Sequence, residues 1–163
     1  MTCLVLTLLV SVDAFGAAVA PPAPHGTVPD ARQLEWHERE FYCFVHFTIN
    51  TFTDKEWGYG DESPELFNPT DFDAAQIVGA AKEAGMRGLI LTCKHHDGFC
   101  LWDSDLTDYK VTNTPYGKDL IAAMVEAYRE EGVRVGFYHS LIDWHHPDFV
   151  IDDTHSMRNH PDR

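Results

Sequence analysis

From residue 30 onward, apolar residues fall into two alternating patterns. Three short runs read as strands: Tyr42-Cys43-Phe44-Val45-His46-Phe47, Gly88-Leu89-Ile90-Leu91-Thr92-Cys93 and Val133-Arg134-Val135-Gly136-Phe137-Tyr138. Helical spacing separates them. Asp30 can cap a helix running to about Phe41 that carries Leu34 and Trp36. Asp71 or Asp73 caps a second, with Ala74, Ile77, Val78 and Ala81 on one face. Asp119 caps a third, with Leu120, Ile121, Met124, Val125 and Tyr128 on its apolar side. Gly85 and Gly132 end the last two helices, where a left-handed residue is needed and glycine supplies it without strain.

An internal repeat supports this reading. Lys82-Glu83-Ala84-Gly85-Met86-Arg87 matches Arg129-Glu130-Glu131-Gly132-Val133-Arg134, so one helix end, glycine stop and strand entry recur a unit later. The strands carry apolar residues on both faces, as parallel strands covered by helices do. The expected fold class is therefore α/β: the first three parallel β-α units of an incomplete (β/α)8 TIM-like barrel. A whole barrel takes about 250 residues. The segment 30–163 is accordingly expected to be the N-terminal portion of a larger barrel, with a small open sheet or a dimerising half-barrel as alternatives.

Residues 1–20 read as a secretory leader. Cys3 to Val12 is apolar apart from Thr7 and Ser11, and Ala18-Val19-Ala20 supplies small residues for cleavage, although no Lys or Arg precedes the run. The segment is too short to remain as a membrane span, so no membrane insertion is expected after cleavage. Residues 21–29 form a Pro-rich linker, and the expected destination is secreted, periplasmic or lysosomal. Cleavage would leave Cys43, Cys93 and Cys100, an odd set without disulfide spacing; Cys43 and Cys93 fall within strands and read as buried thiols. The net charge of −14 and the lack of a Lys/Arg cluster argue against nucleic acid and anionic membranes as partners.

The chemistry concentrates where the strands end. His46 closes the first, Lys94-His95-His96-Asp97-Gly98-Phe99 follows the second, and Tyr138-His139 closes the third. In a parallel barrel these ends open on one mouth, so residues distant in sequence converge there. Lys94–Phe99 taken alone is equally a polar loop with a turn at Asp97-Gly98. Lys55-Glu56-Trp57-Gly58-Tyr59-Gly60 adds a carboxylate beside an indole. Imidazoles, a carboxylate and aromatic faces suit a neutral, hydroxyl-dense ligand such as a sugar.

Metal binding is the competing chemistry, with His145-His146 and nearby Asp143, Asp148, Asp152 and Asp153 as further donors. His-Glu-x-x-His is absent, and adjacent strand histidines point to opposite faces, so each pair would offer one ligand unless the backbone bends. The Asp143-Trp144-His145-His146 segment is expected to shape the third β-α loop. No metal or other cofactor is expected.

These residues resemble a known family. Val45-His46-Phe47, Glu56-Trp57-Gly58, the string Lys94-His95-His96-Asp97-Gly98-Phe99-Cys100-Leu101-Trp102 and Gly136-Phe137-Tyr138-His139-Ser140 follow, in order and spacing, the α-L-fucosidases of glycoside hydrolase family 29. The likeness runs from about Arg32 to Trp144. It implies a (β/α)8-like barrel, removal of terminal α-L-fucose from fucosylated glycans with retention, and a fucose pocket lined by His46, Glu56, Trp57, His95, His96 and Tyr138. Phe47-Thr48 departs from the Trp-Gly of many members, and Asn50-Thr51-Phe52-Thr53 is closer in wording to the subgroup acting on branched α-1,3/1,4-fucosides.

Retaining hydrolysis needs two carboxylates roughly 5 Å apart, one to attack and one to protonate the leaving oxygen. The resemblance puts the nucleophilic Asp at the end of a fourth strand and the acid/base further on, both beyond Arg163. Asp97 is expected to fix its loop and Glu56 to contact a hydroxyl. No catalytic residue is therefore expected within the chain, which alone should lack fucosidase activity. A non-catalytic fucose-binding half-barrel and a metal-dependent barrel hydrolase are the alternatives.

Overall fold

The computed structural model describes residues 20–160. The leader expected over residues 1–20 therefore lies, but for Ala20, outside the described residues. A three-stranded parallel sheet in the order β1-β2-β3 is built from β1 (Tyr42–Val45), β2 (Gly88–Lys94) and β3 (Arg134–His139). Helix α1 (Ala31–His37) precedes the sheet, α2 (Ala74–Glu83) connects β1 to β2, and α3 (Leu120–Glu131) connects β2 to β3. Among the described residues no helix is long and apolar enough to cross a membrane.

Each helix begins where the sequence puts a cap. Asp30, Asp73 and Asp119 each accept a backbone N–H from three residues on, satisfying a donor the first turn leaves open. Gly132 closes α3 at φ 66°, and Gly85 turns the chain after α2 at φ 85°. Helix α1 stops at His37, well short of Phe41. Its Leu34 and Trp36 stay exposed, so no packed face extends it, and Glu40 turns the chain at positive φ.

The expected strands shift at their ends. β1 ends at Val45, releasing His46 and Phe47 into the following loop; β3 starts at Arg134 and runs on to His139. Register aligns Cys43, Leu89 and Val135 on one sheet face, and Val45, Leu91 and Phe137 beside them. Helices α2 and α3 cover the centre of that face. Leu89 and Leu91 pack with Val78, Ala81, Leu120, Met124 and Tyr128, and burying a leucine side chain is worth about 1.5–3 kcal/mol. Cover on both faces holds for β2 alone. On β1 and β3, Phe44, Val135 and Phe137 remain exposed; among the described residues each of these strands pairs with β2 alone. Cys93 is buried as expected, while Cys43, on an outer strand, is half-buried.

Candidate functional site

The sheet delivers its chemistry at the carboxyl ends of the strands. Between Thr92 and Lys94 the ladder with β3 skips a residue, so Cys93 bulges and its thiol donates to the Tyr138 carbonyl (2.9 Å). Beyond the bulge the backbone turns: Gly98 N–H donates to the His95 carbonyl, and Asp97 accepts from Phe99 N–H at 2.7 Å. Asp97-Gly98 is thus a turn, as its sequence suggests. Gly98, at φ 88°, has no room for a Cβ, which would lie 2.3 Å from Asp143 Oδ1 and 2.8 Å from His145 Cβ.

This bend changes the fate of the paired histidines. They leave the strand before alternation separates them, and their rings lie 4.5 Å apart. His95 sits centrally, 5.7 Å from His46 and 5.8 Å from Tyr138, centroid to centroid. His96 is held from the side. Its Nδ1 shares a 2.6 Å hydrogen bond with Ser140 Oγ, and its ring meets Trp144 at 5.3 Å and Trp57 at 6.4 Å. Lys94, nearly buried, forms an ion pair with Asp143 (3.0 Å) and donates to the Ile142 carbonyl, which ties the loop after β3 to the end of β2.

A cavity of about 160 Å³ is lined by His46, Glu56 and His95 together with Thr48, Asn50, Thr51 and Lys55. Three of the six residues singled out in the sequence therefore share one cavity. Tyr138 packs beside His46 and His95, and His96 behind His95, whereas Trp57 lines a neighbouring cavity. His139 lies elsewhere: it pairs in register with Lys94, packs on Trp102 and lines a separate cavity of about 580 Å³.

Sequence reasoning missed the frame beneath the cavity. Asn50 Nδ2 donates to Asp97 Oδ2 at 2.6 Å, joining the loop after β1 to the turn after β2. Buried Glu62 accepts from the N–H groups of Tyr59 and Gly60 and pairs with Lys55 at 3.5 Å. Gly58 lies between these groups. A Cβ there would stand 2.4 Å from Asn50 Oδ1 and 2.7 Å from Glu62 Oε2, so the Glu56-Trp57 segment is seated through a glycine. Ser140 and Trp144 were also overlooked as the supports of His96. A buried polar pair such as Asn50–Asp97 leaves no periodic trace; the only signal was Asp97-Gly98 following two histidines.

Burial sets the protonation states. His95 is pushed down to about 4 by desolvation, with the neighbouring His96 and His46 adding to it, and His96 is lowered by burial and by Lys94. His95 is therefore a neutral imidazole at ordinary pH, able to donate from one nitrogen and accept at the other. Its Nδ1 is buried without a protein partner. Asp97 is raised to about 6 by burial, and nearby Glu62 raises it further against the hydrogen bonds from Phe99 and Asn50. With Asp97 buried and bonded, Glu56 is the one carboxylate lining the cavity. Among the described residues no group of three or more His, Cys, Asp or Glu side chains is arranged to hold a metal ion.

A parallel β/α sheet with neutral imidazoles, a carboxylate and indoles at its strand ends defines a β/α protein whose site lies where that architecture builds its ligand pockets. The sequence profile of the α-L-fucosidase family matches residues 18–163, and the chain belongs to that family. Alpha-L-fucosidase 1 of Arabidopsis thaliana is 44% identical over 127 residues, which cover 76% of this chain and 25% of that protein. A glycoside hydrolase 29 family member from an unknown rumen bacterium superposes with a TM-score of 0.74 at 48% identity, over 77% of this chain and 23% of that one. An α-L-fucosidase from Bacteroides thetaiotaomicron, caught as a covalent intermediate in complex with 2-fluoro-fucosyl fluoride, has a TM-score of 0.67 at 33% identity, over 78% of this chain and 34% of that one. The chain thus spans about a quarter of the length of the Arabidopsis relative it matches.

Proposed function

We propose that this chain forms the fucose-holding part of a retaining exo-α-L-fucosidase, acting on terminal α-L-fucosyl residues of glycans. The observation that carries the reading is the convergence of His46, Glu56 and His95 on one cavity, with Tyr138, His96 and Trp57 around it. The imidazoles and one carboxylate can pair with the hydroxyls of a deoxy-sugar, while Tyr138 and Trp57 offer apolar surface to its ring carbons and methyl group. The covalent intermediate of the Bacteroides relative supports a retaining route, in which an enzyme carboxylate attacks the anomeric carbon and a second protonates the leaving oxygen.

The cavity supplies one carboxylate where this route needs two. In our reading the nucleophile and the acid/base come from residues outside those described, on later units of a (β/α)8 barrel to which the three-stranded parallel sheet would contribute the first units. Phe44 and Tyr138 support that architecture. They lie on the two outer strands, yet their rings approach to 6.0 Å across β2, as on a sheet curling toward closure.

The test is to titrate the purified chain with L-fucose by calorimetry and to assay it with 4-nitrophenyl α-L-fucoside. Binding without turnover is expected. Turnover abolished by His95→Ala would overturn the division of labour, and no heat of binding at millimolar L-fucose would overturn the fucose pocket.

A further inference from the structure

Asn50 stands between two buried carboxylates on different loops. Its Nδ2 donates to Asp97 Oδ2 at 2.6 Å, in the turn that follows His95 and His96. Its Oδ1 points the other way, toward Gly58, and is buried with no donor among the described residues. A Cβ on Gly58 would lie 2.4 Å from that oxygen, and 2.7 and 2.8 Å from the two oxygens of Glu62. An amide oxygen and a carboxylate therefore face each other across the glycine. Asn50, Asp97 and Glu62 are all buried.

Each carboxylate fixes one rim of the pocket. Asp97 also accepts from Phe99 N–H and so sets the turn that carries His95 and His96. Glu62 accepts from the N–H groups of Tyr59 and Gly60 and meets Lys55, which seats the segment Glu56-Trp57-Gly58. The Asn50 backbone is held in the helical turn Ile49–Phe52, with its N–H on Thr48 Oγ1. Only its side chain is left to turn. The link from Asn50 to Asp97 is made, and the link to Glu62 is not. The two ends of a carboxamide match in shape and differ as donor and acceptor, so turning the group over reverses both links.

We propose that Asn50 is the positioning residue that couples the two rims of the pocket, its carboxamide turning over when Asp97 takes up a proton. With Asp97 charged, Nδ2 donates to it and Oδ1 is left opposite Glu62. With Asp97 protonated, the new O–H donates to Asn50 Oδ1, and Nδ2 swings round to donate to Glu62. One proton thus completes the chain Asp97–Asn50–Glu62 and ties the Glu56-Trp57 rim to the His95 rim. The coupling belongs to the protein without ligand, so its test stands apart from the fucose reading.

The surroundings suit this exchange. Burial raises Asp97 to about 6, and Glu62 adds to it against the hydrogen bonds from Phe99 and Asn50. Cys100, on the same loop, is pushed up to about 11 by burial and keeps its proton. Tyr109 is raised by burial, then by Glu62, Asp97 and Asp61, and its hydroxyl donates to Glu62 at 3.5 Å. His145 stacks on Tyr109 at 4.1 Å, and beyond Gly98 the Asp143 carboxylate is paired with Lys94. Burial lowers both His95 and His96, so neither supplies a charge beside Asp97 at this pH.

The experiment follows the whole chain by NMR as pH is lowered through 6. It reads the carboxyl carbons of Asp97 and Glu62, the Trp57 indole, and the nuclear Overhauser effect between the Asn50 side-chain amide protons and Gly58 Hα. Asp97 is expected to titrate near 6, with the Overhauser contact appearing and the Trp57 signal shifting along the same curve. Two isosteric variants separate the states. Asp97→Asn places a donor where the proton would sit and should show the contact at every pH. Glu62→Gln offers its own donor to Asn50 Oδ1 and should show the contact at none. An Asn50 amide whose contacts ignore pH, a proton taken up at Glu62 instead of Asp97, or one pattern in both variants would overturn the coupling. An unmoved Trp57 indole would overturn the positioning role. The wild-type curve decides should either variant fail to fold.

Discussion

Leu91 and Phe137 are register partners on the same face of one sheet, yet Leu91 is fully buried and Phe137 is 51% exposed. β2 lies under two helices and between two strands; among the described residues β3 pairs with β2 alone and packs chiefly on α3. The comparison teaches that apolar character alone does not mark the core of a β/α sheet. Among the described residues, cover by strands on both sides and by helices does, and the functional cluster grows from the most buried strand. His95 and His96 inherit a fixed backbone from β2, while His46 and Tyr138 come to them from the less secured outer strands.

The comparison breaks most visibly under truncation. Leu91→Ala should cost about 2–5 kcal/mol through lost burial and an unfilled cavity, and Phe137→Ala about 1 kcal/mol or less. Urea unfolding of the two variants checks this, and equal losses would mean that β3 is as well covered as β2. Gly98→Ala comes next. It needs left-handed backbone and drives a Cβ against Asp143 and His145, so a loss of about 1–3 kcal/mol is expected, along with displaced His95 and His96 resonances. Ser140→Ala removes the hydrogen-bond partner of His96 for about 1 kcal/mol and should free the ring to reorient, which line broadening of its NMR signals would report.

The smallest effect is a change of slope with pH. His95 is lowered from 6.5 to about 4, so the unfolded chain takes up that proton first and stability falls as pH drops from about 6.5 toward 4. His96, also lowered, acts in the same sense. Asp97 is raised from 3.8 to about 6, so the folded chain keeps its proton longer and stability falls as pH rises through that window. The two slopes oppose each other between about pH 4 and 6. Asp97→Asn should therefore make stability rise more steeply with pH there, and His95→Gln should flatten it. Melting temperatures at half-unit intervals check the signs, and an unchanged slope in Asp97→Asn would contradict the buried placement of that carboxyl.

Much of the fold was legible because its cues are local. Asp73 and Asp119 cap, Gly85 and Gly132 stop, and the strand cores lie where the apolar runs put them. Helix α1 was overdrawn because Leu34 and Trp36 look like a buried stripe, and nothing in a sequence says that a stripe lacks a partner. At the site, the strand-end residues could be anticipated from topology. The bulge at Cys93, which brings His95 and His96 together, and the Asn50–Asp97 and Glu62 frame could not, since they arise from contacts across 47 residues or from loop geometry that leaves no periodic pattern.

The most direct test of the account follows the ring signals of His46, His95 and His96 in two-dimensional NMR while L-fucose is added. A common saturable shift of His46 and His95, with the smaller response of His96 carried through its contact with His95 and all of it lost in Glu56→Ala, is the predicted result. Rings that stay unmoved at saturating fucose, or a response confined to His139 and the cavity around Trp102, would contradict a sugar site built on the end of β2.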